Sequence, residues 1–275
     1  MENKIYPTIK NSILLCLLIL VIQTGLGIII GVSEITSRLS DVPLIAGVLI
    51  VLSSIISFGI PLLVGFRKTK RKFNEVFKFN RISAFLWIAI TVFMTGFVIV
   101  ISEIDNLLNY FLPPPERFRY LFETLMAEQP LIMSIIAIGI IPALTEELFF
   151  RGLVLDGLKN NYSKRKAIIL SALLFGIIHL NPWQFLSGFI MGLIAAWICI
   201  ETNSILLCLF IHFFNNALYA ITIRYKELIP IKEFNSNFSA SAEFQPLWVD
   251  LSGLLILIIG IIMLIKGIKK AKTGA

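Results

Sequence analysis

The stretch Ile140-Ile-Pro-Ala-Leu-Thr-Glu-Glu-Leu-Phe-Phe-Arg151 decides how this 275-residue chain is read. It sets two carboxylates and a guanidinium inside an apolar run. Whether its helix stops at Arg151 or continues beyond fixes how deep those charges lie. Ionisable groups at membrane depth are costly, and they usually face a polar cavity or a partner. The two histidines of the chain have the same setting. His179 lies in Leu173-Leu-Phe-Gly-Ile-Ile-His-Leu180, and His212 in Leu206-Leu-Cys-Leu-Phe-Ile-His-Phe-Phe-Asn-Asn216. Two imidazoles and a carboxylate are common parts of a water-activating site. The functional question is whether these groups meet.

Composition sets the class. Apolar residues make up 57% of the chain and mean hydropathy is +0.88, against roughly 45–50% apolar in soluble domains. Apolar stretches near the span length of about 20 residues recur throughout. Eight are read, at about 11–32, 43–65, 82–102, 130–158, 164–181, 184–200, 204–223 and 247–268. The expected fold is therefore all-α: a polytopic membrane protein of about eight transmembrane helices, with residues 1–275 forming a single transmembrane domain. Neither internal repeats nor a low-complexity tract is visible. Lys4 and Lys10 precede a run too long for a signal-peptide core, with no small-x-small cleavage site after it, so it reads as a retained first span. Cys16, Cys199 and Cys208 lack CxxC spacing and read as buried apolar residues.

The net charge of +7 is sorted by loop. With the N-terminus placed in the cytoplasm, 18 Lys and Arg residues fall on that side and six on the other, which places all 24. That bias fits the positive-inside rule with both termini cytoplasmic and an even number of spans. The run Arg67-Lys-Thr-Lys-Arg-Lys72 is then a topology signal beside anionic lipid, and nucleic acid is not an expected partner.

Spans over 11–102 and 247–268 read as scaffold, and about 130–223 as the catalytic core. Gln23, Thr24, Ser53, Ser54, Ser57, Thr91 and Thr95 in the first three spans can be satisfied within helices. Pro113-Pro-Pro115 reads as a stiff connector, followed by an interfacial helix over 116–128 with Arg117 and Arg119. Gly188, Gly192 and Ala196 line one helix face, as a close-packing surface would. Asn181-Pro182-Trp183 reads as a tight turn with an interfacial tryptophan.

Depth and angle test the meeting. His212 lies about 12 Å past Ser204 and Asn216 about 18 Å past it, while His179 lies about 22 Å from Lys164. Glu146 reaches a matching depth of about 18 Å only if span four continues to Leu158, before Lys159-Asn160-Asn161. The spacing therefore predicts a long span four. Glu147 and Arg151, at i and i+4, share a face and form an ion pair. Glu146 is turned about 100° from Glu147, towards the histidines. Asn216 shares the His212 face, and Asn215 is turned about 60° away.

Three motifs in order on separate spans, Glu146-Glu147-x-x-x-Arg151, Phe175-x-x-x-His179 and His212-x-x-x-Asn216, resemble the CAAX protease and bacteriocin-processing family of intramembrane proteases. The likeness covers roughly residues 130–220. It implies hydrolysis of a peptide bond in a hydrophobic or lipid-attached peptide, in a bacterial-type plasma membrane, from a cavity opening towards the cytoplasm. By position it implies that Glu146 and His179 activate water. His212 and Asn216 hold the oxyanion or complete a metal shell, and Glu147, Arg151 and Phe175 support the site. Glu146, His179 and His212 also suit zinc with one open position. No HExxH motif is present. Two other classes fit the same residues: a proton- or ion-coupled transporter, although no paired broken helices are visible, and a non-catalytic peptide-binding immunity protein.

Overall fold

The computed structural model describes residues 4–32, 43–116, 129–225, 228–229, 231–234 and 243–273. They fold into eight principal helices: α1 (Ile9–Val32), α2 (Pro43–Thr69), α3 (Ala84–Phe111), α4 (Leu131–Asn161), α5 (Lys164–Ile177), α6 (Pro182–Thr202), α7 (Leu206–Arg224) and α8 (Leu247–Thr273). No strand occurs among the described residues beyond one isolated bridge between Phe79 and Ser204. Most of the interfacial helix expected over 116–128, with Arg117 and Arg119, lies outside the described residues.

Seven of these helices are long and apolar enough to cross a membrane, one fewer than the sequence reading. The exception is α5, with 14 residues. That is about 20 Å of helix, short of a hydrocarbon core about 30 Å thick. It still joins opposite ends of the bundle. At one end Lys164 pairs with Glu201. Beyond the other end of α5, Trp183 Nε1 donates to the Leu112 carbonyl at 2.7 Å. The expected turn at Asn181-Pro182-Trp183 is present there, with Asn181 Oδ1 capping α6 by accepting from the Gln184 backbone N–H at 2.8 Å.

The basic loops gather at one end of the molecule. Asn161 bonds both the N–H and the carbonyl of Ile5, and Asn80 Nδ2 donates to the Asn203 carbonyl. Lys164 and Lys272 share Glu201. The first helix therefore begins, and the last helix ends, at the same end of the bundle. Outward apolar residues such as Leu14, Leu17, Val21, Ile258 and Ile262 are exposed, which suits a lipid surroundings better than water.

Helix α4 is continuous over 31 residues, so span four does run past Arg151. It is not uniformly α-helical. Residues Ile135–Ile140 and Leu148–Val154 form wider π turns with i→i+5 bonding, a feature frequent at functional sites. The part beyond Arg151 is fastened by its neighbours. Asp156 is buried and pairs with Arg71 and with Lys159, and Phe77 packs on Gly152.

Two seams hold the bundle. Along α3 and α8, Gly96 admits the Leu257 backbone and Gly260 admits Phe93. Along α5 and α6, Gly192 lies against Ala172, with a Cβ position 3.0 Å from the Ala172 Cα. The small-residue face expected at 188, 192 and 196 is thus a packing face. The scaffold hydroxyls are satisfied in part as expected: Thr91 and Thr95 donate to carbonyls four residues back, while Ser54 instead meets Thr145 of α4 at 3.1 Å.

Candidate functional site

A cavity of about 270 Å³ lies between α4, α5, α6 and α7. Glu146, His179, His212 and Asn216 all line it, so the four groups predicted to share a layer do come together. Each arrives by a different route. Glu146 and Glu147 stand at the end of the α-helical segment Ile141–Glu147, between the two π segments. His179 lies in the turn after α5 rather than inside a helix, because α5 ends at Ile177 and Leu180 takes a left-handed φ of 55°. His212 and Asn216 sit one turn apart in α7.

The buried centre of the site is Glu147. Its Oε1 accepts from Arg151 Nη1 at 2.7 Å and from His212 Nδ1 at 2.9 Å. Glu147, Arg151 and His212 are 0%, 2% and 3% exposed. The i, i+4 ion pair was expected; the bond to His212 was not. The sequence assigned the histidines to Glu146 alone. A carboxylate oxygen has more than one acceptor direction, and α7 lies close enough to α4 to use the second.

Phe175 holds this group from the α5 side. Its ring meets the His179 ring with centroids 5.3 Å apart and the His212 ring with centroids 5.7 Å apart, both edge-on. The Arg151 guanidinium lies 4.4 Å over its face, a cation–π contact in a dry setting. This stacking supports a guanidinium whose Nε and Nη2 have no hydrogen-bond partner.

The protons of both imidazoles can be placed by their partners. His179 Nδ1 lies 2.9 Å from the Phe175 carbonyl. A carbonyl only accepts, so Nδ1 carries the hydrogen and Nε2 is the open nitrogen. His212 Nδ1 likewise faces a carboxylate oxygen, which leaves its Nε2 open. Glu146 is half-buried, and its Oε2 has no hydrogen-bond partner. That oxygen is a buried acceptor, and the carboxylate as a whole borders the cavity.

The far wall is amide-rich. Asn216 Nδ2 donates to the Ile138 carbonyl at 3.0 Å, inside the first π turn of α4. Asn216 Oδ1 accepts from Asn215 Nδ2 at 3.2 Å. Asn215, Gln184 and Ser187 also line the cavity, and the sequence reading singled out none of them for the site. For Asn215, the turn of about 60° away from the His212 face was taken as exclusion, yet a side chain at that angle still reaches the same cavity rim. Ile50 of α2 and Phe97 and Ile101 of α3 complete the wall, so helices read as scaffold also border the site.

Among the described residues no three His, Cys, Asp or Glu side chains converge closely enough to hold a metal ion. Glu146, His179 and His212 line one cavity, and Nδ1 of each histidine is bonded elsewhere, which leaves Nε2 as the nitrogen that would face a metal ion.

The comparisons with known proteins fall on this part of the chain. Residues 128–218 match the model of a family described as type II CAAX prenyl endopeptidase Rce1-like. The matched stretch contains all three motifs. UPF0177 protein YxdF of Lactococcus lactis subsp. lactis (strain IL1403) is 27% identical over 89 residues, which is 32% of this chain and 49% of that protein. The chain thus spans about half the length of that relative. No solved structure matches.

Proposed function

We propose that the protein is an intramembrane endopeptidase that hydrolyses a peptide bond in a hydrophobic or lipid-attached peptide. One observation carries this reading. A single cavity gathers Glu146, His179, His212 and Asn216 from separate elements, with Nδ1 of both histidines occupied. The similarity of residues 128–218 to an endopeptidase family supports it.

The chemistry follows from the protonation pattern. The Glu146 carboxylate or His179 Nε2 takes a proton from water as the water oxygen bonds to the scissile carbonyl carbon. The carbonyl electron pair moves onto oxygen. A protonated His212, stabilised by Glu147 through Nδ1, presents Nε2–H to that oxyanion together with the Asn216 amide. The carbon–nitrogen bond then breaks, and the proton held by the base passes to the leaving amine. Arg151 balances the charge of Glu147 and, through Phe175, keeps both rings in place. By the positive-inside argument the basic end of the bundle faces the cytoplasm, while the turn that carries His179 and leads to Gln184 lies at the opposite end.

The test compares peptides that accumulate in cells making the wild-type chain with those in cells making Glu146→Gln at the same level. Peptides that appear with wild type and vanish with Glu146→Gln are expected. Unchanged peptides at equal protein levels would remove the proposal and would favour a binding or transport role.

A further inference from the structure

We infer that Gln184 supplies a substrate-binding amide N–H to the scissile carbonyl, as a further oxyanion donor beside His212 and Asn216. The inference rests on the hydrolytic reading above and adds a residue that none of the three motifs contains.

The argument turns on which end of the Gln184 amide is free. Asn181 Nδ2 lies 2.9 Å from the His179 carbonyl, which only accepts. Asn181 Oδ1 lies 2.8 Å from the Gln184 backbone N–H, which only donates. These two one-way partners fix the orientation of the Asn181 amide. Asn181 Nδ2 is also 2.6 Å from the Gln184 side-chain amide. The atom meeting a donor must be the acceptor, so Oε1 of Gln184 is tied down and Nε2 is the free end. Gln184 lines the cavity, and Nε2 has no hydrogen-bond partner among the described residues.

The neighbours give that free end its meaning. The Glu146 carboxylate and Nε2 of a neutral His179 are acceptors, and His212 donates from Nε2 only as an imidazolium. The Asn216 amide already gives one hydrogen to Ile138. A carbonyl oxygen acquiring negative charge needs preorganised donors, and the free Gln184 amide offers two. It is also preorganised, because one hydrogen-bond chain links it through Asn181 to the backbone of His179. Gln184, Gly188 and Met191 run along one face of α6, and a Cβ on Gly188 would lie 3.8 Å from His179 Cε1. That spacing brings the Gln184 helix face directly against the imidazole.

The experiment uses full-length protein in liposomes, with quenched-fluorescent apolar peptides as the probe. Wild type, Glu146→Gln, Gln184→Met and Gln184→Glu are compared, with thermal unfolding of each measured in parallel. Gln184→Met keeps the length without a donor, and Gln184→Glu replaces the donor with an acceptor. Both should remain folded. Both should lose about 10²–10³-fold in kcat with KM within about threefold, the size expected for one oxyanion donor. Folded Gln184→Met or Gln184→Glu retaining more than about a tenth of the wild-type kcat, or losing only KM, overturns this inference alone. Cleavage that persists undiminished in Glu146→Gln, or no Glu146-dependent cleavage at all, overturns the hydrolytic reading and this inference with it. As a positioning control, Asn181→Asp keeps the cap on the Gln184 N–H and removes the amide donor. Reduced kcat with an unchanged unfolding temperature is expected, and wild-type kcat would overturn the role of the Asn181 link.

Discussion

The α3–α8 seam and the α4–α7 site are both buried helix contacts, yet they are held in opposite ways. The seam is apolar and tight. Gly96 and Gly260 let backbones touch, and a Cβ at either would run into Leu257 or Phe93. Such packing drives helix association where lipid removes the hydrophobic incentive. The site is polar and leaves space. Glu147, Arg151 and His212 are buried around one shared oxygen, and a cavity stays open beside them. One region exchanges function for density, and the other gives up density to keep reactive atoms free. The wider turns of α4 belong to the second region: two π segments flank the carboxylates, and Asn216 bonds a carbonyl in the first of them.

If that contrast is right, similar substitutions should have different consequences in the two regions. The largest effect is expected from Arg151→Ala. It leaves Glu147 buried with His212 as its remaining partner and should cost about 3 kcal/mol or more, the low end for breaking a buried pair. Thermal unfolding of purified protein measures it. Arg151→Lys should recover only part, since an ammonium does not reproduce the planar guanidinium stacked on Phe175. An Arg151→Ala protein as stable as wild type would mean that the polar region needs no charge balance.

A smaller loss is expected from Gly260→Ala. The added Cβ meets Phe93, whose backbone must move, and overpacking of that kind costs about 1–3 kcal/mol. Cleavage per folded molecule should be largely retained, because Phe93 does not itself line the cavity and reaches it only through its stacking on Phe97. Lost stability with largely retained turnover sharpens the comparison, whereas lost turnover at full stability would erase it.

The smallest effect is expected from Gly188→Ala. A Cβ there meets Phe175 at 3.7 Å and His179 at 3.8 Å, which is ordinary contact. Stability should stay within about 0.5 kcal/mol, or rise slightly from the better helix propensity of alanine. A larger residue, as in Gly188→Leu, should leave the protein folded but fill the cavity and suppress cleavage. The same glycine-to-alanine change is thus expected to be harmful at position 260 and mild at 188, and paired unfolding curves would show it.

Much of the architecture was legible because its signals are local or compositional. Hydropathy gave the helices, with α5 the exception: its apolar run extends to Leu180, but its helix ends at Ile177. Depth matching required α4 to pass Arg151, and it does. The Glu147–Arg151 pair follows from i, i+4 spacing and is present at 2.7 Å. What spacing misjudged was reach between helices. Rotation at about 100° per residue turned Glu147 and Asn215 away from the centre, yet Glu147 binds His212 and Asn215 lines the cavity. Such arithmetic assumes uniform α-helix, which the π turns of α4 are not, and it takes no account of how closely α7 lies against α4.

The sequence by itself determined a helical membrane bundle, the segregation of its basic loops, and the residues of three motifs, because apolar length, loop charge and i, i+4 spacing are properties of single segments. Only the tertiary structure decided that Glu147 serves both Arg151 and His212, that Phe175 touches both imidazoles, that Ile50 and Phe97 close the cavity, and that Gln184 borders it with its amide nitrogen free. Those contacts join residues far apart in the chain. They depend on interhelical distance and on the hydrogen-bond partner that fixes each side chain, and neither is encoded in a single segment.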